Sequence, residues 1–401
     1  MQEGFFGRQP IYKDGVDVFA YELFSHNNER SQAAFGNGDT VTAEALLHEC
    51  IHVGLQGVAG KHPAFVNASR EFILNDYSWF LPKEGVFLQI GGDAKPDDAF
   101  LRATSHLKQA GYSIALKDFA YSEETRPLAN IADIVKVNVR SDECDLLAKQ
   151  MDNIRSLNVK VLAQGIETQE DYTAAKTLGA DYFEGYFFCK PNPAASKQIP
   201  HNRLSTLQLL ATLQTPDATL EQLERALGQD LAMSHRILRY VNSPMNPSLR
   251  KVDSIRHAIS LVGTNLISQW AGVIWLGSIE EKPRELMVMS AIRAHMCQQL
   301  GVAMNCAHPD QFFTAGLLSL LDALMDSPMD SILKELPLIS PVKEALLNRS
   351  GMMGEAIKCV EAYERCDWAG TVCGKLNEST IREAYLTGVL WARSALNELA
   401  N

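Results

Sequence analysis

Several things are missing from this chain of 401 residues. No apolar run reaches the ~18 residues that a membrane-spanning helix needs, so no span is expected. Basic residues are not in excess: 37 Lys and Arg face 48 Asp and Glu, for a net charge of −11. That balance argues against a nucleic-acid partner held through a basic footprint. The eight cysteines form no CxxC pair. They read as reduced thiols packed as small hydrophobes in a cytoplasmic protein. The opening residues show no leader pattern, in line with that location. Internal repeats, low-complexity stretches and a long linker are also lacking. What is present is 46% hydrophobic residues, ample for large cores, in a length that predicts two or more domains.

The first 190 residues alternate strands with helices. Gln9–Tyr12 and Val16–Phe24 flank Asp14-Gly15, a hairpin turn signal. Short apolar runs follow at Ala64–Val66, Val86–Ile90, Ser113–Leu116, Ile134–Val137, Lys160–Ala163 and Tyr182–Phe188. Helical stretches lie between them, including Thr42–Val58, Ala99–Ala110, Glu143–Leu157 and Glu170–Leu178. Such alternation means a parallel sheet covered on both faces. About seven units predict a closed (β/α) barrel with its site at the strand C-termini. An open doubly wound sheet is the alternative, but it wants a Gly-rich phosphate loop after the first strand, and none is there. The strand ends carry Glu22, Asn67, Gln89, Lys117-Asp118, Lys136, Gln164 and Glu184. A barrel that cuts phosphodiesters with metal ions wants acids at several of these places, whereas Gln89 and Gln164 are amides and Lys117, beside Asp118, is a lysine.

The alternation stops at Phe188–Ala195, which holds two prolines and small residues, and only helices follow. The expected domains are a barrel over 1–193 and an all-helical domain over 199–401. Thr219-Leu220-Glu221-Gln222 is a capping-box signature. Asp230 and Asp253 are expected to cap Leu231–Val241 and Ser254–Val262, with Gly263 ending the latter and Thr264 capping the next helix. Further helices are expected over Glu285–Leu300, Asp310–Met325, Pro341–Leu347, Met353–Glu364 and Thr380–Leu399.

Across residues 5–191 a set of segments in fixed order resembles the EAL domain, the phosphodiesterase module that linearises cyclic di-GMP. Tyr21-Glu22-Leu23-Phe24 stands for its Glu-x-Leu signature and Phe65-Val66-Asn67-Ala68-Ser69 for its Asn-x-Ser segment. Leu116-Lys117-Asp118-Phe119 stands for Asp-Asp-Phe-Gly, and Asp133–Asn138 for Asp-x-x-Lys-Ile-Asp. Ala163–Thr168 stands for Ala-Glu-Gly-Val-Glu-Thr, and Gly179–Phe187 for the closing Gly-x-Asp-x-x-Gln-Gly-Tyr-x-Phe. The second half resembles an HDOD domain, a helical relative of the HD-GYP hydrolases, through Asp230–Ser243, Ser254–Gly263 and Ala315–Asp322. Ser319 and Leu320 stand where metal-dependent HD enzymes have His-Asp, and neither is a competent ligand. The pairing resembles a class of two-domain bacterial signalling proteins that covers essentially the whole chain.

The EAL resemblance implies a site for Mg²⁺ or Mn²⁺ that activates water on a phosphodiester. By position Glu22, Asn67 and Asp118 are the retained ligand types, Lys136 is the family's site lysine, and Glu167 is a supporting acid. The departures are Gln89 for a metal-binding Glu, Lys117 for the first Asp of the pair, and Gln164 for the glutamate that helps activate water. Losing one general base costs about 10²–10⁴-fold. Asn138 replaces an Asp, Glu184 replaces a Gln, and His26 stands near the phosphate-binding Arg. The loop Phe119–Glu124 has lost glycines and is expected to be stiffer or differently placed. Lys117 either pairs with Glu22, Asp118 or Glu167 in place of the metals, or points into solvent.

His48-Glu49-Cys50-Ile51-His52 matches the H-E-x-x-H pattern of zinc peptidases, with Glu71 downstream as a third ligand. The helix carrying it precedes the Asn67 strand on the outer ring, away from the mouth, so the pattern reads as a coincidental pair of histidines. His235, His257, His295 and His308 read as ordinary helix or loop residues, and Trp270, Trp275, Trp368 and Trp391 as core or groove aromatics. Glu361–Trp368 resembles a segment typical of the class and is assigned no chemistry.

The reading is a degenerate EAL barrel plus a metal-free HDOD bundle. No cofactor is expected, with Mg²⁺ or Mn²⁺ only for an active site. The partner is a protein met through the HDOD domain, and a homodimer is compatible. An active or weakly active phosphodiesterase, and a cyclic di-GMP sensor without hydrolysis, stay open as alternatives.

Overall fold

The computed structural model describes residues 4–14, 17–27, 55–75, 81–92, 94–139, 144–191, 208, 211, 219–228, 231–242, 252–279 and 282–400. The chain divides into two compact units. One is Met1–Phe188 together with the short segment Glu364–Trp368; the other is Cys189–Tyr363 with Ala369–Asn401.

The first unit is a closed barrel of eight strands in sequence order. They are β1 (Gly4–Lys13), β2 (Val18–Asn27), β3 (Ala64–Asn67), β4 (Val86–Gly91), β5 (Ser113–Lys117), β6 (Ile134–Asn138), β7 (Lys160–Gln164) and β8 (Tyr182–Glu184). β2 to β8 pair in parallel, while β1 runs antiparallel to both β2 and β8 and closes the ring. The hairpin signal at Asp14-Gly15 therefore marks the β1–β2 connection. The last strand is shorter than its apolar run, because Phe187–Cys189 turns into a 3₁₀ helix.

Inside the barrel one apolar layer contains Ile11, Ala20, Phe65, Ala115, Ile134 and Leu162, with Phe19, Phe87 and Tyr182 packed against it. Phe65 stacks on Phe87 with centroids 4.5 Å apart, and Phe19 on Tyr182 at 4.1 Å. Because strand side chains alternate, the residue two positions on faces the same way. Two residues beyond Ala20, Phe65, Phe87, Ala115, Ile134, Leu162 and Tyr182 stand Glu22, Asn67, Gln89, Lys117, Lys136, Gln164 and Glu184. The inner apolar layer thus floors a polar ring. β1 runs the other way, so Gln9, two residues before Ile11, belongs to the same ring and pairs in register with Glu22.

Outer helices are fixed by caps at their N-termini. Ser69 accepts from Phe72 N–H, Asp97 from Phe100 N–H, and Thr168 forms a capping box with Asp171.

The second unit is helical. Its described helices include Leu220–Gly228, Leu231–Val241, Ile255–Val262, Thr264–Leu276, Arg284–Ala303, Pro309–Leu318, Leu321–Met325, Met329–Lys334, Ser340–Asn348, Gly351–Glu364 and Glu378–Ala400. Ile267–Leu276 is buried throughout, Trp270 and Trp275 included. The box at Thr219 is formed: Gln222 N–H donates to Thr219 Oγ1 and Thr219 N–H to Gln222 Oε1.

Three sequence expectations are corrected here. Gly263, not Thr264, is the N-cap of Thr264–Leu276, and it gives no side-chain cap. Ser254, not Asp253, caps Ile255–Val262, because its hydroxyl accepts from His257 N–H. The single helix expected over Asp310–Met325 breaks at Ser319-Leu320, where Leu320 leaves helical geometry at φ −111° and ψ 19°. Gly316 explains the packing just before that break. A Cβ there would lie 2.3 Å from Arg293 O, so only glycine lets Pro309–Leu318 approach Arg284–Ala303 so closely.

Candidate functional site

Lys136 is the centre of the polar ring. It lies on β6 between Val135 and Val137, which face the opposite side and anchor the strand, and its side chain is 1% exposed. Its ammonium makes an ion-paired hydrogen bond with Glu22 Oε2 and lies 2.7 Å from Glu184 Oε2. The other oxygen of Glu22, Oε1, accepts from Gln89 Nε2 at 2.7 Å and from Lys117 Nζ at 3.3 Å. Gln89 Nε2 also donates to Asn67 Oδ1 at 2.6 Å. Lys117 therefore turns inward, with 27% of its side chain exposed and its ammonium 5.4 Å from the Phe24 ring centroid. Of the alternatives open in the sequence, pairing with Glu22 is the one adopted.

The charges follow from this packing. Burial would raise the Glu22 carboxyl, yet Lys136 and Lys117 outweigh it and hold it at about 2. Glu184 goes the other way: burial, then the negative charge of Glu22, push it up to about 8, against the pull of Lys136. Burial would lower Lys136, but Glu184 and Glu22 raise it above the ordinary lysine value. The centre is thus an anionic Glu22 bound by two ammonium groups, beside a Glu184 whose protonated form is favoured well above the usual carboxylate range.

Glu184 is positioned by Gly185. Ile166 N–H donates to Glu184 O at 3.1 Å, and a Cβ on Gly185 would lie 2.0 Å from Ile166 O. Tyr186 follows, and Gln9 Nε2 donates to its hydroxyl at 3.2 Å. The sequence reading missed Gln9 and Tyr186. The signal for Gln9 was its inward parity with Ile11, which is usable only once β1 is known to be antiparallel.

The remaining expected positions separate from this centre. Asp118 is exposed, adopts φ 49°, and accepts from Gln164 Nε2 at 3.0 Å. It does not join Glu22 and Asn67, so the three retained ligand types are not brought together. Asn138 is exposed at the end of β6, and Glu167 donates its backbone N–H to Asp171. His26 lies in β2 opposite Phe5, and its side chain falls outside the described residues. The His48–His52 motif also lies outside them, as does Asp230.

The ring does not fit a divalent cation. Two ammonium groups already neutralise Glu22, and both of its oxygens face N–H donors. The Gln89 amide satisfies two acceptors only with its NH₂ turned inward, and its own Oε1 is buried without a hydrogen bond. Among the described residues no group of three or more His, Cys, Asp or Glu is gathered as a metal site.

The helical unit has a comparable centre. Ser319 is buried, donates to Gly316 O at 2.7 Å, and accepts from Arg293 Nη1 at 3.1 Å. Arg293 is itself buried and lies 3.5 Å from Glu361 Oε1, which Arg349 Nη2 approaches to 2.8 Å. Leu320 is buried. Burial raises the Asp322 carboxyl, opposed by the Ala323 N–H and by Arg293 and Arg349. His295 stacks on Trp391 at 5.1 Å, and burial lowers it to about 4, so it is neutral.

Comparison with known proteins agrees with both halves. Residues 48–191 match the family model described as EAL domain, and residues 199–326 match the one described as HDOD domain. A Vibrio cholerae protein named cyclic di-GMP phosphodiesterase CdgJ is 27% identical over 377 residues, covering 92% of this chain and 87% of its own. A Bacillus subtilis protein named YuxH, uncharacterized, is 26% identical over 409 residues, covering 98% of this chain and 99% of its own. Among solved structures, the PaMucR phosphodiesterase in complex with c-di-GMP is 19% identical, with a TM-score of 0.40 over 48% of this chain and 98% of that one. The chain is an EAL–HDOD two-domain protein. No helix among the described residues is long and apolar enough to cross a membrane.

Proposed function

We propose that this protein works in cyclic di-GMP signalling without hydrolysing the nucleotide, and that its output is protein–protein contact made through the HDOD half. The observation that carries this reading is the state of Glu22. Its two carboxylate oxygens are taken up by Lys136, Lys117 and Gln89. An EAL hydrolase needs that carboxylate for a cation, and needs a base where Gln164 presents an amide. Lys117 supplies fixed positive charge inside the ring and so substitutes structurally for metal. Ser319 and Leu320, with Arg293 beside them, support the same reading for the helical half: no metal, and a surface rather than a reaction centre. A cytoplasmic location and a protein partner belong to this proposal.

The name of the Vibrio cholerae relative favours a second reading, in which weak hydrolysis persists. Calorimetric titration of cyclic di-GMP with Mn²⁺ or Mg²⁺, followed by analysis for the linear product, separates the readings. The expected result is no linear product. Product formed at catalytic protein concentration would establish the second reading, and binding without product would make the barrel a sensor.

A further inference from the structure

The segment Glu364–Trp368 is part of the barrel unit although it begins 180 residues beyond the end of β8. Its contacts are specific. The backbone carbonyl of Glu364 accepts from Tyr186 Oη and, at 3.4 Å, from Gln9 Nε2. The Arg365 guanidinium lies 5.6 Å from the Tyr186 ring centroid, within cation–π range. Cys366 is half-buried and held at φ 56°, a conformation uncommon for a residue with a Cβ. Such geometry persists where surrounding contacts enforce it. Burial pushes the Cys366 thiol up to about 12, with Glu22 and Glu184 adding to the shift and Lys117 opposing it. The groups that act on Cys366 are thus those of the polar ring, at the strand ends where ligands of a (β/α) barrel enter. Glu361, three residues before the segment, is held in the helical unit by Arg293 and Arg349.

We propose that Glu364–Trp368 is a built-in plug: the turn sits in the mouth of the barrel over Glu22, Lys117 and Glu184, and it must withdraw before a soluble ligand can reach them. The device extends the proposed loss of hydrolysis by giving the mouth an occupant. It requires no change in the ring itself. Tyr186 and Gln9 are the latch, because both donate to the same carbonyl.

The test uses the full-length protein and native alkylation with iodoacetamide, followed by mass spectrometry of the Cys366 peptide. Cys366 in the wild type is expected to react at least about tenfold more slowly than in urea-unfolded protein, since it must wait for local opening. In the double variant Gln9→Ala, Tyr186→Phe that protection should be largely lost, while the ring that Arg365 covers is retained. Cys297, 1% exposed in the helical unit, serves as the internal control and should stay protected in both proteins. Wild-type Cys366 reacting at the unfolded rate would overturn the plug. So would a double variant as protected as the wild type. Exposure of Cys366 and Cys297 together would show global unfolding; the single variant Tyr186→Phe, which keeps the Gln9 bond, then decides on the same readout. Alkylation reports on the turn whatever nucleotide titration shows, so this inference and the loss of hydrolysis fail separately.

Discussion

Lys136 and Glu22 form an ion pair in which each side chain is 1% exposed, at the middle of a closed barrel. Neither charge would be tolerated there alone, because burying an unpaired ion costs far more than burying a matched one. Glu184 shares the ammonium and Lys117 adds a second cation to Glu22, so the ring is balanced by its own side chains. In the helical unit Arg293 has a similar place beside Ser319 and Glu361. Both centres thus hold a buried protein cation beside a carboxylate.

Removing one partner exposes this dependence. Lys136→Met leaves Glu22 with weaker compensation and is expected to destabilise the barrel by about 3–5 kcal/mol. The double variant Lys136→Met, Glu22→Leu removes the mismatch and should recover much of that loss. Urea unfolding of the two single variants and the double gives the coupling. Strict additivity would mean that the pair contributes nothing to stability.

Glu184 makes stability fall as pH rises. Its folded pKa is about 8 against an ordinary value of 4.5, so between those pH values the folded chain holds a proton that the unfolded chain has released. Stability contributed by this group is full below about pH 4.5 and declines toward pH 8, at up to about 1.36 kcal/mol per pH unit. Glu22 has the opposite sign, since its folded pKa is about 2: its contribution is present above pH 4.5 and is lost on acidification. Urea midpoints at pH 5, 6, 7 and 8 should therefore decrease for the wild type. Glu184→Gln should flatten that slope, and an unchanged slope would assign it to other groups.

Much of the ring was legible because strand parity is a local property. Each of Glu22, Asn67, Gln89, Lys117, Lys136, Gln164 and Glu184 follows an inward apolar residue by two positions, a pattern visible in one sequence. Gln9 was not legible: its place in the ring depends on the antiparallel register with Glu22, a long-range fact. Asp118 misled because it stands in a left-handed backbone and meets Gln164 rather than Glu22 or Asn67, and sequence adjacency to Lys117 says nothing about that turn. The break at Ser319-Leu320 was hidden by continuous helical periodicity across it. The segment at Glu364–Trp368 was recognisable as a motif, but no local signal could assign it to the barrel.

Arg293 is expected to matter for folding of the helical unit. Arg293→Met would strip the donor from Ser319 and remove one cation from Glu361, at a cost of about 3 kcal/mol or more for a buried partner lost. Thermal unfolding followed by circular dichroism should show a lower midpoint, and added Zn²⁺ or Mn²⁺ should not restore it. Recovery with metal would mean that the Arg had been masking a competent site.

The decisive substitution set is Lys117→Asp, Gln89→Glu, Gln164→Glu. Each change puts a carboxylate where the ring now has an amide or an ammonium, and the first also releases Glu22 Oε1 from Lys117. Lys136 still binds Glu22 Oε2, so the barrel keeps its central ion pair. Hard dications favour clustered carboxylate oxygens, and the triple variant is expected to bind Mn²⁺ with measurable heat where the wild type gives none. Crowding like charges should also lower its stability without metal, so Mn²⁺ should raise its melting temperature in proportion to binding. No Mn²⁺ binding in a folded triple variant would locate the obstacle in the backbone. The left-handed turn at Asp118 is the first place to look, because it sets where that carboxylate lies relative to Glu22 and Asn67.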